Sequence, residues 1–173
     1  VEAQAVDDPR VRVIEVPRER TYPPTVENHW LAGPVVPANA ALKACNGEWI
    51  ARIDDDDIWT PDHLEVLLRV AEEGNHEFVS GAHETGTGHP PPYILGEDTK
   101  VGGTQTWLYR AYLKMFRYNP ECWRKDWNRV NDTDLQDRMW RAGVRMGYVN
   151  RVVAYVLPRP GEDHIGLEAY MVD

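Results

Sequence analysis

Four consecutive carboxylates, Asp54-Asp55-Asp56-Asp57, are the most chemically loaded stretch of this 173-residue chain. Adjacent negative side chains repel one another, so a fold that gathers them needs a compensating charge. A hard divalent cation with oxygen ligands, Mn²⁺ or Mg²⁺, is the natural compensation. The quartet follows an apolar run, Trp49-Ile50-Ala51-Arg52-Ile53, and precedes a helix start at Thr60-Pro61. Ligand sites in open α/β sheets lie at such carboxyl ends of strands. The competing reading is a solvated acidic loop whose last members favour the positive end of the next helix.

Two other acidic motifs can be tested by counting. A calcium loop of the EF-hand kind started at Asp54 would place Glu65 at its twelfth position, but Ile58 and Trp59 occupy the fifth and sixth, where an oxygen ligand and a glycine belong. That reading fails. A haloacid-dehalogenase-type phosphatase also sets Asp-x-Asp after an apolar strand, and Asp54 with Asp56 fits the pair. It would need Asp54 as a covalent nucleophile, with Lys114 and Asp132-Thr133-Asp134 serving downstream without a convincing local pattern, and it stays open.

The elements that must position these residues alternate. Val11–Val16 is a β-branched run stopped by Pro17 and reads as a buried strand. A Pro- and Gly-punctuated loop follows through Pro34. Ala38–Cys45 reads as a helix ended by Asn46-Gly47, and Trp49–Ile53 as a strand. Thr60 caps a helix with Pro61 in its first turn, Leu64, Leu67, Leu68 and Ala71 on one face, and Gly74 at its close. Phe78–Ala82 reads as a strand, His83–Gly103 as a long surface loop and Thr104–Tyr109 as a strand. Asp132–Ala142 reads as a helix closed by Gly143, and Val144–Leu157 as one or two strands. This alternation predicts an α/β layered fold. His83 and His89 fall in the Gly/Pro-rich loop, a poor metal scaffold.

Composition bounds the rest. Hydrophobic residues make up 42% and charged residues 27% of the chain, a globular balance that excludes disorder and fibrous architectures. Residues 1–173 read as one domain. A net charge of −9 argues against nucleic acid as a partner. No apolar run nears the roughly 18 residues of a transmembrane segment. The first residues lack the basic and apolar regions of a signal peptide. With only Cys45 and Cys122 there is no disulfide framework, and a cytoplasmic location is expected.

A longer pattern then emerges. Asn39-Ala40-Ala41-Leu42, followed by the stretch from Gly47 to Leu64 with its Asp54–Asp57 quartet, resembles the centre of glycosyltransferase family 2. Asn131-Asp132-Thr133-Asp134-Leu135 with Arg138 is similar to that family's second, acceptor-side block. The resemblance implies a GT-A (Rossmann-like) mixed sheet flanked by helices, and inverting transfer of a sugar from a nucleotide-sugar to an acceptor hydroxyl. By position it implies that Asp56 is the metal-binding member of Asp-x-Asp. Asp54 and Asp55 would lie near the ribose and diphosphate, with Asn39 in the same nucleotide-sugar site. Asp132 would be the catalytic base, or on the bland reading an ordinary helix N-cap, and His164 a late metal ligand. Trp59, Trp123 and Trp127 are candidates for an acceptor groove, against the commoner role of large aromatics in the core.

Two departures accompany the resemblance. Ala38 stands where the family commonly has arginine. The strand, helix and second strand that bind the nucleobase in the family have no counterpart, and Val11–Val16 resembles the third strand, which in the family lies away from the Asp-x-Asp strand. A strand without neighbours leaves backbone groups unpaired. Either Val11–Val16 closes against Trp49–Ile53, or a second chain supplies the pairing in a homodimer. A non-catalytic relative that binds a metal, a sugar or a partner chain is the alternative to an enzyme.

Overall fold

A computed structural model describes residues 8–17, 20–124, 131–158 and 165. Two short helices open it, α1 (Val26–Ala32) and α2 (Val35–Ala44). The first lies in the segment expected to be loop. Its start is set by Thr25, whose hydroxyl accepts from the Asn28 amide. Then come β1 (Trp49–Ala51), β2 (Asp57–Trp59), α3 (His63–Glu73), β3 (Phe78–Thr85), the hairpin β4 (Tyr93–Leu95) and β5 (Thr99–Val101), β6 (Leu108–Arg110), α4 (Asn131–Arg141) and β7 (Met146–Val156).

Five strands form one mixed sheet in the order β1-β6-β3-β7-β2, with β3 and β7 parallel and the other pairs antiparallel. Alternate residues of each strand face opposite sides. Val79 and Leu108 meet Val66, Leu67 and Ala71 of α3 on one face. Phe78 and Tyr109 meet Leu31, Leu42, Leu135 and Met139 from α1, α2 and α4 on the other. The Phe78 ring lies 5.3 Å from Trp107, edge to face, and 5.9 Å from Tyr109. Each such fully buried side chain contributes about 1.5–3 kcal/mol. This is the expected α/β architecture, a mixed sheet between helices.

The backbone runs close against β3 at Gly102. Its N–H donates to the buried Ser80 hydroxyl (3.0 Å), and its carbonyl accepts from Trp107 Nε1 (2.8 Å) and Gln136 Nε2 (3.1 Å). A Cβ there would collide with the Gly81 carbonyl oxygen.

Several expectations need correction. Val11–Val16 is not a strand: no strand of the sheet pairs with it, and Val11, Val13 and Ile14 are exposed at 50%, 60% and 46%. Propensity without a partner ladder does not make a strand, so the sheet is not closed by this segment. The loop expected at 83–103 holds the end of β3 and a two-stranded hairpin. The strand expected from Thr104 begins instead with a 3-10 turn, Thr104–Thr106. Leu64 points outward, and Val66 takes its place against the sheet. Thr60 does not cap α3. Its hydroxyl donates to Asp62 Oδ1, and the helix begins at His63.

The join between β1 and β2 matters for function. These strands occupy opposite edges of the sheet, yet only residues 52–56 connect them. Five flat strands would place the edges roughly 19 Å apart. The connection contains a turn, with the Asp57 N–H donating to the Asp54 carbonyl (3.3 Å), and cannot reach that far. The sheet is therefore curled, and the aspartate quartet crosses its curled end. Among the described residues no helix is long and apolar enough to cross a membrane.

Candidate functional site

The quartet is anchored by the residue that follows β1. Arg52 Nη2 donates to Asp54 Oδ1 at 2.9 Å, and Arg52 Nη1 to the Tyr118 hydroxyl at 2.9 Å. The guanidinium is largely buried, its side chain 19% exposed, whereas that of Asp54 is 44% exposed. Burial works against the arginine charge, but Tyr118 and Asp54 more than offset it and hold its pKa above the usual range. Asp57, half-buried on β2, has its pKa pushed up to about 7. Burial is the main cause, Asp54 and Asp56 add to it, and Arg52 opposes it.

Burial and the neighbouring carboxylates together raise the proton affinity of Asp57. Asp54 and Asp55 are exposed and Asp56 half-buried. Among the described residues no three His, Cys, Asp or Glu side chains form a ready cage for a metal. Mg²⁺-type ions do not require one, because one or two carboxylates with substrate phosphates usually suffice. An all-carboxylate donor set with surplus charge fits such a hard cation. His164, expected as a further ligand, lies outside the described residues, as does Trp127.

Tyr118 is itself clamped. Asn39, on α2, donates through Nδ2 to the Tyr118 carbonyl and accepts from the Tyr118 N–H, both at 2.9 Å. From the other side Arg138, on α4, donates to the Arg117 carbonyl (2.6 Å) and pairs with Asp134 (2.8 Å). Asp134 and Arg138 thus form an ion pair one turn apart on α4.

Asp132 lies in the first turn of α4, one residue past its start, so it is not the N-cap. Its Oδ1 accepts from the Thr133 N–H at 2.7 Å. The preceding residue, Asn131, is buried and donates through Nδ2 to the Leu31 carbonyl (2.8 Å), an oxygen also reached by Cys122 Sγ (3.1 Å). Burial pushes the Asp132 pKa upward, against the Thr133 amide and Arg52. Tyr93, Tyr118 and Cys122 all feel its charge. Asp54 and Asp132, 78 positions apart in sequence, are therefore brought to one corner around Arg52 and Tyr118.

Of the aromatics, Trp59 donates from Nε1 to the Gln105 carbonyl (2.8 Å) and stacks on His63 (4.2 Å between rings, 13° between planes). Trp123 packs against the core cluster, with the Arg124 guanidinium 5.3 Å over its ring. Lys114, the cation required by a phosphatase, donates to the Cys45 carbonyl (2.6 Å). Sequence reading passed over Arg52 and Tyr118. A lone cation inside an apolar strand was the available signal for Arg52; Tyr118 offered none.

Known proteins show which family the chain belongs to. The family model "Glycosyl transferase family 2" matches residues 26–136, well over half of the chain. The chain belongs to glycosyltransferase family 2. Among relatives, the family 2 chain is 32% identical over 78 residues to the Escherichia coli UDP-Glc:alpha-D-GlcNAc-diphosphoundecaprenol beta-1,3-glucosyltransferase WfgD, covering 45% of this chain and 30% of that protein. It is 37% identical over 75 residues to the Rhizobium meliloti succinoglycan biosynthesis protein ExoO, covering 43% and 18%. The chain thus spans less than a third of either relative's length. Among solved structures, Staphylococcus aureus TarS 1–349 superposes with a TM-score of 0.54 at 17% identity, covering 72% of this chain and 40% of TarS 1–349. TarS 1–349 in complex with UDP gives 0.53 at 16%, covering 73% and 40%. These likenesses show a GT-A fold, and family membership displaces the phosphatase reading.

Proposed function

We propose that this family 2 domain, residues 1–173 taken as one unit, transfers a sugar with inversion from a nucleotide-sugar to an acceptor hydroxyl. The observation that supports it is the meeting of Asp54 and Asp132 around Arg52 and Tyr118, donor block and acceptor block in one corner. TarS complexes with UDP and UDP-GlcNAc, and the UDP-Glc in the name of WfgD, favour a uridine diphosphate sugar as donor.

In this reading Asp132 accepts the acceptor's hydroxyl proton. The freed oxygen attacks the anomeric carbon from the face opposite the diphosphate, and the bond to the diphosphate oxygen breaks with its electron pair. Asp54 and Asp55 orient the ribose and diphosphate, and Asn39 contributes by fixing Tyr118. Trp59, Trp123 and Trp127 border the acceptor. Asp56, with His164, would hold Mn²⁺ or Mg²⁺, whose chemistry when bound is to neutralise charge on the departing diphosphate. A cytoplasmic location suits such a donor.

Calorimetry with UDP, GDP or dTDP in the presence of Mn²⁺ tests the donor assignment. Uptake of UDP, lost on Asp56→Asn, is the expected result; no heat with any nucleotide overturns it. A second reading, a non-catalytic relative that dimerises, is favoured by one observation: among the described residues the outer edge of β1 pairs with no strand. Sedimentation equilibrium distinguishes it, since edge-to-edge pairing gives twice the 19.9 kDa chain mass.

A further inference from the structure

Building on the transferase reading, we propose that Arg52 and Tyr118 are positioning residues: Tyr118, clamped from two helices, holds the Arg52 guanidinium against Asp54 and in the neighbourhood of Asp132, so that one cation serves both halves of the site.

Three observations carry this. A largely buried guanidinium is costly unless its donors are satisfied. Arg52 meets that need with the quartet's own first member and a phenol, rather than with a carboxylate of the scaffold. The phenol is fixed in turn, because both backbone groups of Tyr118 are held by Asn39 of α2 and the neighbouring Arg117 carbonyl by Arg138 of α4. The second of those helices carries Asp132 in its first turn. Residues 117–118 therefore tie together α2, α4 and the aspartate crossing.

The chemical consequence concerns Asp132. Among the described residues, the groups that interact with its charge are Arg52 just after β1, Tyr93 from β4, Tyr118, and Cys122 from the 3-10 turn Cys122–Arg124. Of these four, Arg52 alone is cationic. It opposes the burial that would keep Asp132 protonated, and so favours the ionised form a general base requires.

Carboxyl ¹³C NMR of aspartate-labelled protein, titrated in EDTA, reads Asp132 directly and needs no substrate. Arg52→Gln moves its midpoint up by about one pH unit, and Arg52→Lys, which keeps the charge, restores most of the difference. Tyr118→Phe keeps the cation and removes only the hydroxyl. The Arg52 Nε–H then exchanges faster with water, and UDP–Mn²⁺ affinity falls about fivefold, as loss of one hydrogen bond of ~1 kcal/mol would give. An unmoved Asp132 midpoint in Arg52→Gln with a native-like amide spectrum overturns the proposal. So does an unchanged Arg52 signal in Tyr118→Phe, which decides the matter should Arg52→Gln not fold. Wild-type protein that takes up no nucleotide while Asp132 still responds to Arg52 overturns the transferase reading and leaves the coupling standing.

Discussion

Asn39 and Tyr118 hold each other through two hydrogen bonds of one side-chain amide, Asn39 Nδ2 to the Tyr118 carbonyl and the Tyr118 N–H to Asn39 Oδ1, both 2.9 Å. The amide mimics a strand partner for a residue that has none, and it fixes the phenol that holds Arg52. The family asparagine thus acts on the site through the main chain of a residue 79 positions away.

Asn39→Ala leaves two partly buried backbone groups without partners, and a loss of about 1–3 kcal/mol is expected in urea unfolding. Asn39→Asp keeps the acceptor but faces the Tyr118 carbonyl with a second oxygen, so it recovers little. A fully restored midpoint in Asn39→Asp would show that only the N–H bond matters.

On the proposed mechanism, Asp132→Asn removes the proton acceptor while preserving shape. Transfer is expected to fall about 10²–10⁴-fold with UDP–Mn²⁺ affinity unchanged, a kcat effect without a binding effect. The raised Asp132 pKa places the acid limb of the wild-type pH–rate profile above the ordinary carboxylate range. Rates measured from pH 4 to 8 test this; a limb at the position of a solvated aspartate counts against Asp132 as the base.

Asp57 ties pH to stability. Its pKa rises on folding from 3.8 to about 7, so the folded state binds its proton more tightly than the unfolded chain does. Stability contributed by that proton is present at low pH and declines as pH rises from about 4 to about 7. In EDTA, Asp57→Asn should therefore raise Tm at pH 8 and leave it nearly unchanged at pH 4. Mn²⁺ should raise the wild-type Tm at pH 8, an increment that chelation removes.

Gly102→Ala pushes a methyl group into the Gly81 carbonyl, where β3 and the backbone after β5 meet. A loss of about 2–4 kcal/mol is expected. Ser80→Ala, which only strips the hydroxyl partner of the Gly102 N–H, should cost less, about 1–3 kcal/mol. Thermal melts of the two variants rank them.

Much of the frame was legible because it rests on local signals. The apolar run before the aspartates, the periodicity of α3 and α4 and the Gly stops gave the layers, and the two blocks gave the family. Val11–Val16 misled because a strand is made by its neighbours as much as by β-branched residues. The 3-10 turn at Thr104 and the hairpin at 93–101 have no periodic signature to read. At the site, carboxylates advertise themselves. What positions them does not: Tyr118 reaches Arg52 across 66 positions, and Asn39 acts through backbone atoms, which no residue code reveals.

The short crossing from Ala51 to Asp57 sets a rule of length. Because it laces together the two borders of a curled sheet, the number of residues there is constrained as well as their identity. Removing one aspartate would do more than subtract a ligand: the lace would pull β2 off β7 and open the fold from its rim. Natural relatives with an insertion at this point should carry a matching bulge in β7, a co-variation that aligned sequences would reveal.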